Sequence, residues 1–160
     1  MLKLRTGAMA IAMLAVLAAA PGAFAKTRTY HASLMTAPLT TADGYPGVGG
    51  TALLAGSLNT DRFGAGATID RVKVTGQPMG GRVFTFEGTE TDYFAAGTTR
   101  NRFTGTSLVN DDGSQDIDIE GELTGGTGRY RGAKGHYKFS GTVASGESVL
   151  TGHSKGRVTF

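Results

Sequence analysis

The sequence predicts an all-β protein, a single eight-stranded antiparallel up-and-down β-barrel. Three observations lead there. After residue 25, no long segment repeats apolar residues at the i, i+3, i+4, i+7 spacing of an amphipathic helix. Short runs rich in Val, Ile, Thr, Phe and Tyr alternate apolar and polar side chains, which is the period of a half-buried strand. Gly, Asn and Asp separate these runs, and glycine alone supplies 26 of the 160 residues. Closing such a sheet into a barrel removes its exposed edges.

The opening stretch, "MLKLRTGAMAIAMLAVLAAAPGAFA", is set apart from the fold. Lys3 and Arg5 precede an apolar run from Ala8 to Ala20, Pro21 and Gly22 break it, and Ala23-Phe24-Ala25 forms a small-x-small cleavage site. These are the parts of a secretory signal peptide cleaved after Ala25, so the expected location is secreted or periplasmic. Residues 26–160 are then one domain, long enough to bury a core. Without Lys3 and Arg5, 14 basic residues face 13 acidic ones, which leaves no basic surface for nucleic acid. Cysteine is absent, so the fold rests on packing without disulfides, and no thiolate exists for catalysis or metal binding.

The strands are expected at about Thr27–Thr36, Thr51–Asn59, Ala67–Thr75, Arg82–Tyr93, Thr98–Val109, Ser114–Leu123, Lys134–Val143 and Ser148–Thr159. The first two are separated by the long segment Ala37–Gly50, with Pro38 and Pro46, which reads as a loop and a rim flap. "NTDRFGAG" and "GQPMGG" end the second and third strands. "NDDG" at Asn110–Gly113 and "ASGES" at Ala144–Ser148 are hairpin signals. Alternation phases the strands. Arg82, Phe84, Phe86, Gly88 and Glu90 share one face, as do Ile117, Ile119, Gly121 and Leu123. Tyr137, Phe139, Gly141 and Val143 share another, and Val72 and Val74 oppose Arg71 and Lys73.

"GGTGRYRGAKG", Gly125–Gly135, is near a nucleotide-binding fingerprint, but that fingerprint needs a following helix to hold phosphate. Here a strand-like run, "HYKFSGTV", follows, so the glycines serve to turn one strand into the next. The longer segment "ELTGGTGRYRGAKGHYKFSG", Glu122–Gly141, resembles the signature of the allene oxide cyclase and dirigent superfamily. There a strand ends in Gly-Gly-(Thr/Ser/Ala)-Gly, followed by an aromatic residue and Gly-Ala-(Arg/Lys/Tyr)-Gly. Gly125, Gly126, Thr127, Gly128, Tyr130, Gly132, Ala133 and Gly135 take those places. The resemblance covers Arg82–Phe160 well. It implies a calycin-like eight-stranded barrel with a central pocket, assembled as homodimers or homotrimers. The family's plant cyclases carry a functional Glu on the first strand, and "TYHASLMT" has Tyr30 and His31 where that acid would stand.

His31, His136 and His153 lack metal-ligand spacing, so no metal site is expected, and nothing calls for a cofactor. No Ser lies in G-x-S-x-G, and "NDDGSQDIDIE" lacks the calcium-loop pattern. Pockets combine apolar walls with a few polar groups, so the candidates are polar residues on the inward phase. These are Glu90 beside Phe84 and Phe86, Asn101 beside Phe103, Tyr137 beside Phe139, and Tyr30 beside Ala32 and Leu34. Tyr30, Phe84, Phe86, Asn101, Phe103, Tyr137 and Phe139 form the candidate ligand-binding set. Glu90 is the candidate catalytic group, since burial raises a carboxyl pKa into the range of acid–base work. The leading expectation is a barrel that binds a small apolar or aromatic molecule, without stable membrane insertion. One rival is an isomerase or cyclase that guides cyclisation or coupling of a reactive intermediate. Another is an eight-stranded outer-membrane barrel.

Overall fold

The computed structural model describes residues 26–39, 47–78 and 81–160. The expected signal peptide and residues 40–46 of the expected flap lie outside them. The chain forms eight antiparallel strands: β1 (Thr27–Pro38), β2 (Thr51–Thr60), β3 (Gly64–Gly76), β4 (Val83–Phe94), β5 (Gly97–Val109), β6 (Gln115–Gly126), β7 (Lys134–Val143) and β8 (Leu150–Thr159). Each pairs with its sequence neighbours, and β8 returns to β1 to close an up-and-down barrel. The expected strands are all present. β1 runs two residues past its expected end because Ala37 and Pro38 continue to pair with β2.

Both predicted hairpins form. Asn110 accepts a hydrogen bond from the Gly113 backbone at 3.0 Å, and Ala144 accepts one from Glu147 at 3.0 Å. The Gly125–Gly135 segment ends β6, makes one short 3-10 turn at Gly128–Tyr130 and enters β7. Gly128 adopts φ 57°, in the left-handed region that favours glycine, and a Cβ there would run into the Ala96 carbonyl. The turn carries Tyr130 into the barrel end, where the residue is only 4% exposed.

That end is closed by aromatic rings. Phe63, on the turn after β2, lies 5.1 Å from Tyr130, 5.3 Å from Phe94, 5.7 Å from Phe160 and 5.8 Å from Tyr30, ring centre to ring centre. Leu58, Leu123, Ala133 and Val158 complete this plug. Nearer the opposite end, a second cluster of Ile117, Phe139, Val143 and Leu150 packs one part of the wall.

Inside the barrel, rings lie against glycines on neighbouring strands. Phe86 opposes Gly105, Phe103 opposes Gly88, and Tyr137 is flanked by Gly121 and Gly156. A Cβ at Gly88, Gly105 or Gly121 would overlap the facing ring, and one at Gly156 would meet the Tyr30 ring and the Tyr137 Cβ. Much of the glycine content is therefore space for inward aromatic side chains, a cross-strand pairing that holds register. The outward phase is charged. Arg71, Lys73, Arg102, Glu120, Glu122 and Lys138 are all exposed, and Lys138 pairs with Glu120 at 2.6 Å.

Candidate ligand-binding site

The barrel interior is layered along its axis. The aromatic plug closes the end formed by the β2–β3, β4–β5 and β6–β7 connections. Above it lies a polar layer, and above that a cavity of about 290 Å³, near the lower limit of roughly 300–1,000 Å³ for ligand pockets. The cavity walls include Leu54, Val74, Phe84, Phe86, Phe103 and Ile119. Pro38, Gln115, Glu147 and Ser148 line it at the other end, among the connections that the plug does not fill. Asp70, Glu90 and Tyr137 line it on the plug side.

The polar layer follows from strand phase. Thr68 and Asp70 on β3, Glu90 and Asp92 on β4, and Thr99 and Asn101 on β5 all occupy inward positions one or two steps from the plug. Pairing sets Asp70 opposite Glu90 and Glu90 opposite Asn101. β6 bulges at Thr124, whose neighbours Gly125 and Leu123 pair with Arg100 and Asn101 in turn. Bulges of this kind re-aim side chains beside functional sites.

A dense hydrogen-bond network joins these groups. Tyr137 donates its hydroxyl to Glu90 Oε2 at 2.8 Å, and Asn101 Nδ2 donates to the same oxygen at 3.0 Å. Asn101 Nδ2 also donates to Asp92 Oδ2 at 2.9 Å, and Thr99 donates to that oxygen at 2.7 Å. Thr68 donates to Asp70 Oδ1 at 3.0 Å. Asp70, Asp92 and Asn101 are 8%, 5% and 5% exposed. Glu90 is half-buried, and what it meets is the cavity lined by its own neighbours.

Among the described residues no cation balances these acids. Every described Lys, Arg and His is exposed, and every other described Asp and Glu is exposed too. Three carboxyl groups thus share a poorly solvated interior with one another. Burial, then the Asp92 charge, push the Asp70 carboxyl up to about 7, although the Thr68 hydroxyl pulls the other way. Glu90 is pushed well above the usual carboxylate range by burial first, then by Asp92 and Asp70. Glu90 therefore holds its proton more firmly than an ordinary carboxyl, and in that form its carboxyl and that of Asp92 can lie in hydrogen-bond contact. Burial and the nearby acids also raise the Tyr30 and Tyr137 hydroxyls, so both remain neutral donors.

The structure gathers most of the sequence-predicted set. Phe84, Phe86, Phe103, Tyr137, Phe139 and Glu90 line the cavity. Asn101 lies behind Glu90, bonded to it. Tyr30 turns inward lower down, where its ring belongs to the plug and packs against Phe63. Sequence reasoning missed Asp70 and Asp92, with their partners Thr68 and Thr99. Their signal was present: Asp70 lies two residues before Val72 on the same phase, and Asp92 two residues after Glu90.

Among the described residues, no group of three or more His, Cys, Asp or Glu is arranged to hold a metal ion. None of the described helices is long and apolar enough to cross a membrane. The fold and its interior define a class of protein, a closed eight-stranded barrel with a cavity floored by acids. No protein-family model matches the sequence, and no curated protein matches it significantly.

Proposed function

We propose that this chain is an exported barrel that binds one small apolar or aromatic molecule in its interior. The observation that carries this reading is the cavity itself, walled by aliphatic and aromatic side chains, blind at the plugged end and floored by a few polar groups. That combination suits a ligand with an apolar body and one polar end. Charge on the outward phase supports a barrel facing water, and speaks against the lipid contact of an outer-membrane barrel. The "LTGGTGRYRGAKG" segment supports kinship with the allene oxide cyclase and dirigent superfamily, and the apolar run Ala8–Ala20 supports export. A homodimer or homotrimer belongs to the same proposal through that kinship.

The test uses N-phenyl-1-naphthylamine, a neutral fluorophore that brightens in apolar pockets. Saturable binding at one probe per chain is expected. Ser154 is a half-buried inward residue on the cavity wall. Ser154→Phe places a ring in the cavity and should abolish the signal while circular dichroism stays that of a β-barrel. A folded parent without saturable binding would defeat the reading. Native mass spectrometry of the same material reports subunit number and any retained ligand.

A second reading is favoured by one observation: Glu90 faces the cavity and bonds the Tyr137 hydroxyl, and burial makes it hold a proton more firmly than an ordinary carboxyl. Such a group could deliver a proton to a bound intermediate and so guide its cyclisation. Glu90→Gln would then cut turnover by roughly 10²–10⁴-fold. Equal turnover in parent and variant removes Glu90 from that role.

A further inference from the structure

We propose that the ligand is an organic cation, an aromatic or apolar amine whose ammonium head seats against Asp70 and Glu90 at the cavity floor, with Asp92 buried behind them. The inference rests on the binding reading above and specifies its ligand.

Charge is the first ground. Asp70 faces Leu54 from β2 and Glu90 from β4. Glu90 faces Asp70 from β3 and Asn101 from β5, and meets the Tyr137 hydroxyl from β7. Tyr30 adds a neutral hydroxyl from β1, close enough to feel Glu90 and Asp92. None of these neighbours is a base, so the three acids meet no positive charge among the described residues.

Unused acceptors are the second ground, and an independent one. Asp92 Oδ1 and Asn101 Oδ1 are both fully buried and have no hydrogen-bond donor. Asn101 is amide, not acid, and both its amide hydrogens are directed at Glu90 and Asp92. A layer rich in acceptors and short of donors is complementary to a group that brings several N–H bonds. Neither oxygen lines the cavity, so the two mark the layer's shortage of donors, and an ammonium meets that shortage at Asp70 and Glu90, which do line it.

Shape is the third ground. Asp70 and Glu90 line the cavity directly, and the aromatic walls above them are Phe84, Phe86, Phe103 and Tyr137. Aromatic faces next to carboxylates attract an ammonium on both counts. The carboxyls are not arranged for metal coordination among the described residues, which points to an extended organic cation over a bare metal ion. Binding such a cation draws Asp70 and Glu90 back to their ionised forms and releases protons to solvent.

Three near-isosteres isolate the charge: 1-naphthylmethylamine, 1-naphthylmethanol and 1-naphthoate, titrated calorimetrically into the full barrel. At pH 8 the amine should bind about tenfold or more tighter than the alcohol, the scale of one charge-assisted hydrogen bond, and the naphthoate most weakly. The amine's advantage should shrink at pH 5, where Asp70 holds its proton. Near pH 7, heats in phosphate and in Tris should differ by the ionisation of released protons. Asp70→Asn and Asp92→Asn should each narrow the gap between amine and alcohol. If a variant fails to fold, the parent's pH dependence and proton release decide. Binding of N-phenyl-1-naphthylamine without preference for the amine overturns the charge assignment and leaves the binding reading standing. Failure of all four compounds to bind the folded parent overturns both.

Discussion

Acid should stabilise the empty barrel, against the usual trend. The perturbation is Asp70→Asn, compared with the parent across pH. In the unfolded chain the Asp70 carboxyl loses its proton near 3.8, whereas in the barrel it does so at about 7. Between those values the folded state holds a proton that the unfolded state has lost, so stability falls as pH rises. Below the unfolded value both states are protonated and the penalty vanishes. Above about pH 7 it is present in full. A separation of about three units corresponds to about 4 kcal/mol, at about 1.4 kcal/mol per unit. Lowering the pH from 8 to 5 recovers about two of those units, or about 3 kcal/mol from this one group. For a domain of this size that is roughly 10 °C in Tm. Glu90 acts in the same direction. Asp70→Asn keeps the shape and can still accept the Thr68 hydroxyl, but it cannot ionise. Thermal unfolding by circular dichroism at half-unit pH steps should therefore show the parent gaining stability toward pH 5. The variant should exceed the parent at pH 8 and change less with pH. The exposed groups are common to both proteins and cancel in the difference. A parent whose Tm is flat or falls from pH 8 to 5 would refute the reasoning, and so would a variant with the parent's full slope.

Other consequences concern packing. Gly128→Val should destabilise the barrel by at least about 1–3 kcal/mol, because φ 57° is strained for a β-branched residue and its Cβ meets the Ala96 carbonyl. The exposed neighbour Arg129 should tolerate Ala with no measurable change in urea midpoint. Tyr130→Ala removes a ring that is 4% exposed from the centre of the plug, and should cost roughly 3–5 kcal/mol. Phe86→Ala should cost less than that range, because one side of the ring faces the cavity. Its larger effect should be on N-phenyl-1-naphthylamine affinity, and a variant with parental affinity would take Phe86 out of the binding wall.

Strand number, order and phase were legible in the sequence because a half-buried sheet imposes a period of two. "DIDIEGEL" and "GHYKFSGTV" show it without ambiguity, and the structure places Ile117, Leu123, Phe139 and Val143 in the core as that phase requires. Inward glycines such as Gly121 could be placed on the right face, but not explained. Their reason is a ring on the adjacent strand, and pairing across strands is not written in the local pattern. The aromatic plug was illegible for the same reason. Phe63, Phe94, Tyr130 and Phe160 are far apart in the chain and meet only after closure. Asp70 and Asp92 were missed because an acid on an apolar phase looks like the end of a strand. Closure gives the opposite result, since strands that run past their apolar stretch carry the acids inward, beneath the cavity.

The barrel's stability and its acids work against each other. Without cysteine, the fold depends on packing alone, and two layers supply it: the plug at one end and the Phe139 cluster in the wall. The layer between the plug and the cavity does the reverse. A threonine or valine at Asp70 would continue the pattern set by Thr68, Val72 and Val74 on the same strand face, without any charge to bury. Burial and the neighbouring acids instead raise the Asp70 and Glu90 carboxyls, and buried acceptors are left unfilled. Proteins break local rules of this kind mainly at functional sites, where stability is given up for a preorganised polar group. The polar layer is also where strands β3, β4 and β5 come together with Tyr137 of β7, so its geometry is set by four elements that the packing layers hold rigid. On the proposed reading, a cation held at Asp70 and Glu90 would offset the cost that these buried acids impose on the barrel, and the acids would then be explained by binding and not by folding.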